Sequence, residues 1–191
     1  MRTSPFTAVY DACVLYPAPL RDFLMWLGLS GRFRARWSVQ IHDEWKRNLL
    51  KNRPDLTAGQ LDRTSALMDS AIPGALVTGH EVLVEGLTLP DPDDRHVLAA
   101  AIRCHASVIV TFNDRDFPVE ALEPFGLEAQ HPDLFVENLF DLDQAAVVAA
   151  AQRQRRQLKH PPIDVDRYLD ILLRLGLPQT VKGLVAFRSL L

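Results

Sequence analysis

The sequence predicts an α/β fold built on parallel strands, and three observations lead there. Two short apolar runs, residues 6–10 (FTAVY) and 107–111 (SVIVT), are rich in β-branched and aromatic side chains, as buried strands are. The chain between them carries apolar residues at helical spacing, and strands alternating with helices favour parallel pairing through right-handed crossovers. Both runs give way to aspartates at their C-terminal ends, the edge where such sheets collect ligands.

Taken in order, residues 6–10 form a strand bounded upstream by Pro5 that delivers Asp11 at its end. Residues 14–19 read as a turn. From 20 to 29, Leu20, Phe23, Leu24 and Leu27 mark an amphipathic helix closed by Gly28 or Gly31. Ser38 suits the cap of a second helix, in which Ile41, Trp45 and Leu49 recur every four residues and which ends before Pro54. Residues 57–72 make a third, stopped by Pro73 and Gly74. Residues 75–78 are a short strand, whereas 82–89 show mixed periodicity and are assigned to neither class. Asp93 or Asp94 caps a helix whose inward stripe is Val97, Ala100, Ala101 and Cys104, and the strand 107–111 follows. Beyond Asp141 only helices are expected: 143–159, then 164–175 stopped by Gly176, then 178–191, with a break at His160, Pro161 and Pro162. The organisation is thus one α/β domain over 1–140 and a helical extension over 141–191.

A length of 191 residues allows one domain with a sound core and a small extension. The apolar share of 48% matches an ordinary globular chain, and a net charge of −3 gives no bulk attraction to nucleic acid, so phosphate contact needs a local patch or a bound cation. Cys13 and Cys104 alone make neither a disulfide framework nor a thiolate metal site, which fits a reducing, cytoplasmic setting. No apolar run reaches the length of a membrane helix, and none at the N-terminus forms a signal-peptide core.

Acidic residues carry the chemistry. Asp11 and the pair Asp114 and Asp116 follow predicted strands, Asp91, Asp93 and Asp94 precede a helix, and Glu44 lies beside the apolar stripe of another. Each alone has an ordinary explanation. Asp93 or Asp94 can be a plain helix cap; Asp114 in Asn-Asp-Arg-Asp can be turn chemistry; Glu44 has Arg47 three residues on for a surface ion pair. Together they ask for a cation, because carboxylates about 4 Å apart repel by roughly 1 kcal/mol in water and about 4 kcal/mol at an effective dielectric near 20. Hard oxygen ligands select Mg²⁺ or Mn²⁺. Such ions activate water against phosphodiesters, so phosphate hydrolysis is the natural reaction class.

The segments VYDACVLYP, HDEW, LPDPDDRHVLAAA and VIVTFNDRDFP, in this order, resemble the acidic motifs of PIN-domain ribonucleases, in particular the VapC-like toxins of bacterial toxin–antitoxin systems. The similarity covers roughly residues 6–141, and the helical tail resembles an extension found in one VapC-like branch. The resemblance implies a three-layer α/β/α sandwich, with residues 1–140 as a PIN-like nuclease domain. It further implies that Asp11, Glu44 and Asp94 are metal-binding catalytic residues, with Asp114 or Asp116 as the fourth. Thr111 and Asn113 would position water or phosphate, and Asp91 and Asp93 would support or cap. The implied substrate is RNA, and the implied partner is a cognate antitoxin protein; a homodimer is the default by analogy.

Arg32, Arg34, Arg36, Lys46 and Arg47 make a local basic patch suited to an RNA backbone, with Phe33 or Trp37 placed to stack a base; the ordinary alternative is a solvated face over core aromatics. Arg153, Arg155, Arg156 and Lys159 form a second cluster for a partner, RNA or solvent. The six histidines show no metal-ligand spacing, and His96, two residues past Asp94, is expected to point elsewhere and be structural. Other readings of the same acids are a metal-dependent DNA nuclease, a phosphatase, or a non-catalytic PIN-like binding module.

Overall fold

A computed structural model describes residues 6–159 and 161–191. Pro5 and His160, named above as element boundaries, lie outside the described residues. Five strands, β1 (Thr7–Tyr10), β2 (Arg34–Ser38), β3 (Leu76–Val77), β4 (Val108–Val110) and β5 (Glu128–Gln130), pair in the order β3-β2-β1-β4-β5. Every pairing is parallel. The central strand β1 is buried along its whole length, as its unbroken apolar run requires.

The helices are α1 (Ala12–Leu15), α2 (Ala18–Gly28), α3 (Val39–Asn52), α4 (Ala58–Ala71), α5 (Arg95–Arg103), α6 (Val119–Leu122), α7 (Pro132–Gln157), α8 (Val165–Arg174) and α9 (Pro178–Val185). Several begin where a side chain satisfies their first free amides. Ser38 Oγ accepts from Ile41 N at 3.2 Å to open α3, and Thr57 and Gln60 form a reciprocal capping box at α4.

Helices cover both faces of the sheet. On one, Ala35 of β2 meets Gly28 of α2; a Cβ on Gly28 would lie 3.2 Å from Ala35 Cβ and 2.8 Å from Ile72 Cδ1, so a larger residue there would force its neighbours to shift. Arg36, the next residue of β2, points to the other face, where its charge acts on Cys104 at the end of α5. There α5 packs across β1, β2 and β4.

The strand order reverses at β1. The chain steps from β1 to β2 and β3 on one side, then crosses back to β4 and β5 on the other. A crevice therefore opens beyond the carboxyl ends of β1 and β4. Tyr10 pairs with Val110 at those ends, which sets Asp11 beside Thr111.

The local differences from expectation have physical causes. The first part of the expected turn at 14–19 is helical, because Asp11 accepts from Ala12 N and starts α1. Strands β2 and β5 were not expected. The undecided segment 82–89 is largely a 3₁₀ turn, Glu81–Gly86.

At the C-terminus α7 is interrupted at Asp143 (φ −157°, ψ 88°), whose Oδ1 accepts from Ala146 N at 3.0 Å. Asp143 thus caps the second half of α7, which is the helix start its sequence suggests. Gln154, buried, ties the extension to the sheet domain: its Nε2 donates to Pro19 O at 2.7 Å, and its Oε1 accepts from Tyr168 Oη at 2.8 Å. Asp133 of α7 accepts from Gln179 N and Thr180 N, both at 2.9 Å, and so caps α9. Among the described residues no helix is long and apolar enough to cross a membrane.

Candidate active site

Asp11 stands at the end of β1 with 2% of its surface exposed. Its carboxylate accepts three hydrogen bonds, from Ala12 N at 2.6 Å, from Thr111 Oγ1 at 2.7 Å and from Cys13 Sγ at 3.2 Å. Burial raises its pKa; the bonds from Thr111, Cys13 and Ala12 pull it down, and the charge of Glu44 pushes it up. Thr111, fully buried at the end of β4, also accepts from Asn113 N at 2.9 Å, and Phe112 N donates to Cys13 Sγ at 3.3 Å. This closed set of bonds joins two strand ends and fixes the carboxylate. Burial, and then the charge of Asp11, push the Cys13 thiol far up, so it serves as a neutral donor rather than a thiolate.

Asp94 faces the same crevice. Burial raises its pKa to about 7, followed by the charges of Asp11, Asp91, Asp116 and Glu44. Carboxylates from four separate stretches of chain therefore act on one another at this edge of the sheet. The plain-cap explanation of Asp94 does not hold, since its side chain makes no capping bond to α5; Asp91 is the capping residue, accepting from Asp93 N at 2.9 Å. Asp93 is exposed beside it. Of the two aspartates in the 3₁₀ turn Asp114–Asp116, only Asp116 is among the charges acting on Asp94; Asp114 and Asn113 are exposed.

Glu44 enters from α3, where His96 Nε2 lies 3.1 Å from its Oε2. Arg47 is not its ion-pair partner. Among the described residues Asp11, Asp94 and Asp116 form no ion pair with any cation. The donor set, all carboxylate oxygens, with no cation paired to Asp11, Asp94 or Asp116 among the described residues, suits Mg²⁺ or Mn²⁺. As the side chains stand, no three of His, Cys, Asp and Glu among the described residues converge closely enough to hold an ion. Binding one requires these carboxylates to draw together.

A family model described as PIN domain matches residues 7–115, more than half of the chain. The chain belongs to the PIN-domain family. Residues 132–186 of this PIN protein match a second model, described as the VapC50 C-terminal domain. A Mycobacterium tuberculosis protein named "Putative ribonuclease VapC50" is 43% identical over 79 residues, 41% of this chain and 47% of that relative. The match thus spans about half the length of the curated relative. No solved structure matches the chain.

In this PIN domain the basic residues are dispersed. Arg32 and Arg34 precede and open β2, at the sheet edge opposite Asp11. Arg32 Nε is 2.7 Å from Asp143 Oδ2, and Arg36 is half-buried. Lys46 bridges Asp62 at 2.9 Å and Asp43 at 3.3 Å, while Arg47, on the same helix as Glu44, is exposed. Phe33 and Trp37 do not stack a base: both are buried, and Trp37 Nε1 donates to Asp69 Oδ1 at 2.6 Å. In the second cluster Arg155 is structural, donating to Ile163 O and Leu191 O.

Two residues of the PIN site escaped sequence reasoning. Cys13 was given no role at the site, yet its Sγ donates to Asp11; the short α1 that carries it has no periodic signal. His96, expected to be merely structural, lies 3.1 Å from Glu44, a partner on another helix that no spacing within α5 indicates.

Proposed function

We propose that this PIN domain is a metal-dependent endoribonuclease, the toxin of a toxin–antitoxin pair, acting in a reducing cytoplasm. One observation carries the reading: the charges of Asp11, Glu44 and Asp116 all bear on Asp94, and that of Glu44 on Asp11, at the strand ends where the strand order reverses. Naming of the mycobacterial relative as a ribonuclease supports RNA over DNA or small phosphate esters.

Asp11, Glu44, Asp94 and Asp116 would hold Mg²⁺ or Mn²⁺, with Asp114 at the rim of the site. When bound, the ion supplies a water of lowered pKa and charge stabilisation at the phosphate. Thr111 and Cys13 hold the Asp11 carboxylate in one orientation, and the other carboxylates would move toward it as an ion binds. Asp94, whose burial raises its pKa to about 7, would give up its proton on serving as a ligand. Arg47, exposed on the helix of Glu44, would contact an RNA backbone, whereas Lys46 is engaged by Asp62 and Asp43. The division at residues 140 and 141, with the extension packing on the core or on a partner, is part of this reading; the bonds of Gln154 to Pro19 and Tyr168 favour packing on the core. An antitoxin partner and a homodimer belong to the same proposal.

The test is cleavage of RNA, DNA and p-nitrophenyl phosphate by purified protein with Mn²⁺, beside Asp11→Asn and Asp94→Asn. RNA cleavage lost in both folded variants is expected; full activity in Asp11→Asn would refute the reading. The unconverged carboxylates favour, as a second reading, a binding module without catalysis. Absence of Mn²⁺ binding by calorimetry would select it.

A further inference from the structure

Glu44 reaches the acidic crevice from α3, and a residue of α5 holds it. The Glu44 carboxylate has a single side-chain partner among the described residues, His96, with Nε2 3.1 Å from Oε2. Both side chains are mostly shielded, 14% exposed for His96 and 25% for Glu44, so this contact is less screened than a surface pair. His96 Nδ1 is buried without a partner, which leaves Nε2 as the only bonded nitrogen of the ring. A carboxylate can only accept, so Nε2 carries the proton. One helical turn earlier on the same face of α3, Gln40 Oε1 lies 2.7 Å from Nε2 of His80, a buried ring. Two histidines thus grip one face of α3, and one of them ends on the carboxylate.

We infer that His96 is a positioning residue for Glu44: its Nε2–H fixes one carboxylate oxygen, Oε2, so that the carboxylate would be held ready to bind a divalent ion. This rests on the metal-dependent reading above. A partner of this kind sets the orientation of a ligand without touching the ion, and its loss weakens metal binding about 10- to 100-fold.

His96→Leu removes the donor and keeps bulk; His96→Gln places an amide N–H at the reach of Nε2. Mn²⁺ affinity is measured by calorimetry on the full chain, with near-UV circular dichroism to confirm the fold. The expected result is affinity about 10- to 100-fold weaker in His96→Leu and restored to within several-fold in His96→Gln. Folded His96→Leu with unchanged affinity overturns the inference and leaves the proposed function standing. No Mn²⁺ binding by the unaltered protein overturns both. A metal-free measurement decides the matter should His96→Leu fail to fold: ring-nitrogen NMR of the unaltered protein is expected to show His96 as the Nε2–H tautomer, with a signal that moves in Glu44→Ala. A bare Nε2 overturns the inference.

Discussion

Thr111 Oγ1 donates to Asp11 Oδ2 at 2.7 Å, joining two residues one hundred positions apart. The bond crosses from the end of β4 to the end of β1 and is fully buried. Thr111→Val keeps the shape of the side chain and removes the donor. Asp11 retains Ala12 N and Cys13 Sγ, so the expected cost is ~1–3 kcal/mol in urea unfolding. RNA cleavage should fall at least ~10-fold as the carboxylate loses its fixed orientation.

Asp94 makes the metal-free protein sensitive to pH. Its folded pKa of about 7 exceeds the ordinary value of 3.8, so the native chain keeps a proton that the unfolded chain releases. The stability this confers is whole below pH ~4 and is lost as pH climbs through about 7, an effect of at most ~4 kcal/mol. Thermal unfolding in EDTA should therefore show a lower Tm at pH 8 than at pH 6. The fall should be much smaller in Asp94→Asn, and Mn²⁺ should reverse it in the unaltered protein. An equal fall in Asp94→Asn would place its origin elsewhere.

Asp116 and Asp114 should behave unlike each other. Asp116 bears on Asp94, whereas Asp114 is exposed at the rim. Asp116→Asn is expected to lower RNA cleavage by ~100-fold or more, and Asp114→Asn by less than ~10-fold, roughly the difference between losing a metal ligand and losing a supporting residue. Single-turnover cleavage of one RNA substrate by both variants decides it.

Gln154 should matter to stability far from the chemistry. Gln154→Leu leaves Pro19 O and Tyr168 Oη without their buried partner, at an expected cost of ~2–4 kcal/mol. Limited proteolysis should then release the C-terminal helices first, while an unchanged urea midpoint would show that other contacts hold them.

The sequence carried the central strand, most helices and the order of the acids, because apolar runs and caps are local signals. It hid β2, where Arg34 and Arg36 alternate with Ala35 and Trp37: the arginines suggested a binding surface, although the strand lies inside the sheet with Trp37 in the core. It hid β5 because Glu128, Ala129 and Gln130 have no apolar run and are placed by backbone pairing to β4. At the site, the carboxylates were legible and their partners were not. Thr111, Cys13 and His96 acquire their roles only when distant segments meet, and no spacing within one element encodes that.

The strand order also governs when the crevice comes into being. Its centre is made first and its other wall a hundred residues later, so a nascent chain that has not yet emerged as far as Thr111 carries Asp11 with neither its clasp nor the companions Asp94 and Asp116 fully in place. At ribosomal speeds of about 5–20 residues per second, that interval lasts roughly 5–20 s. On the proposed reading, the acidic site would stay unassembled for that time, because the strand that carries Thr111 has yet to be made.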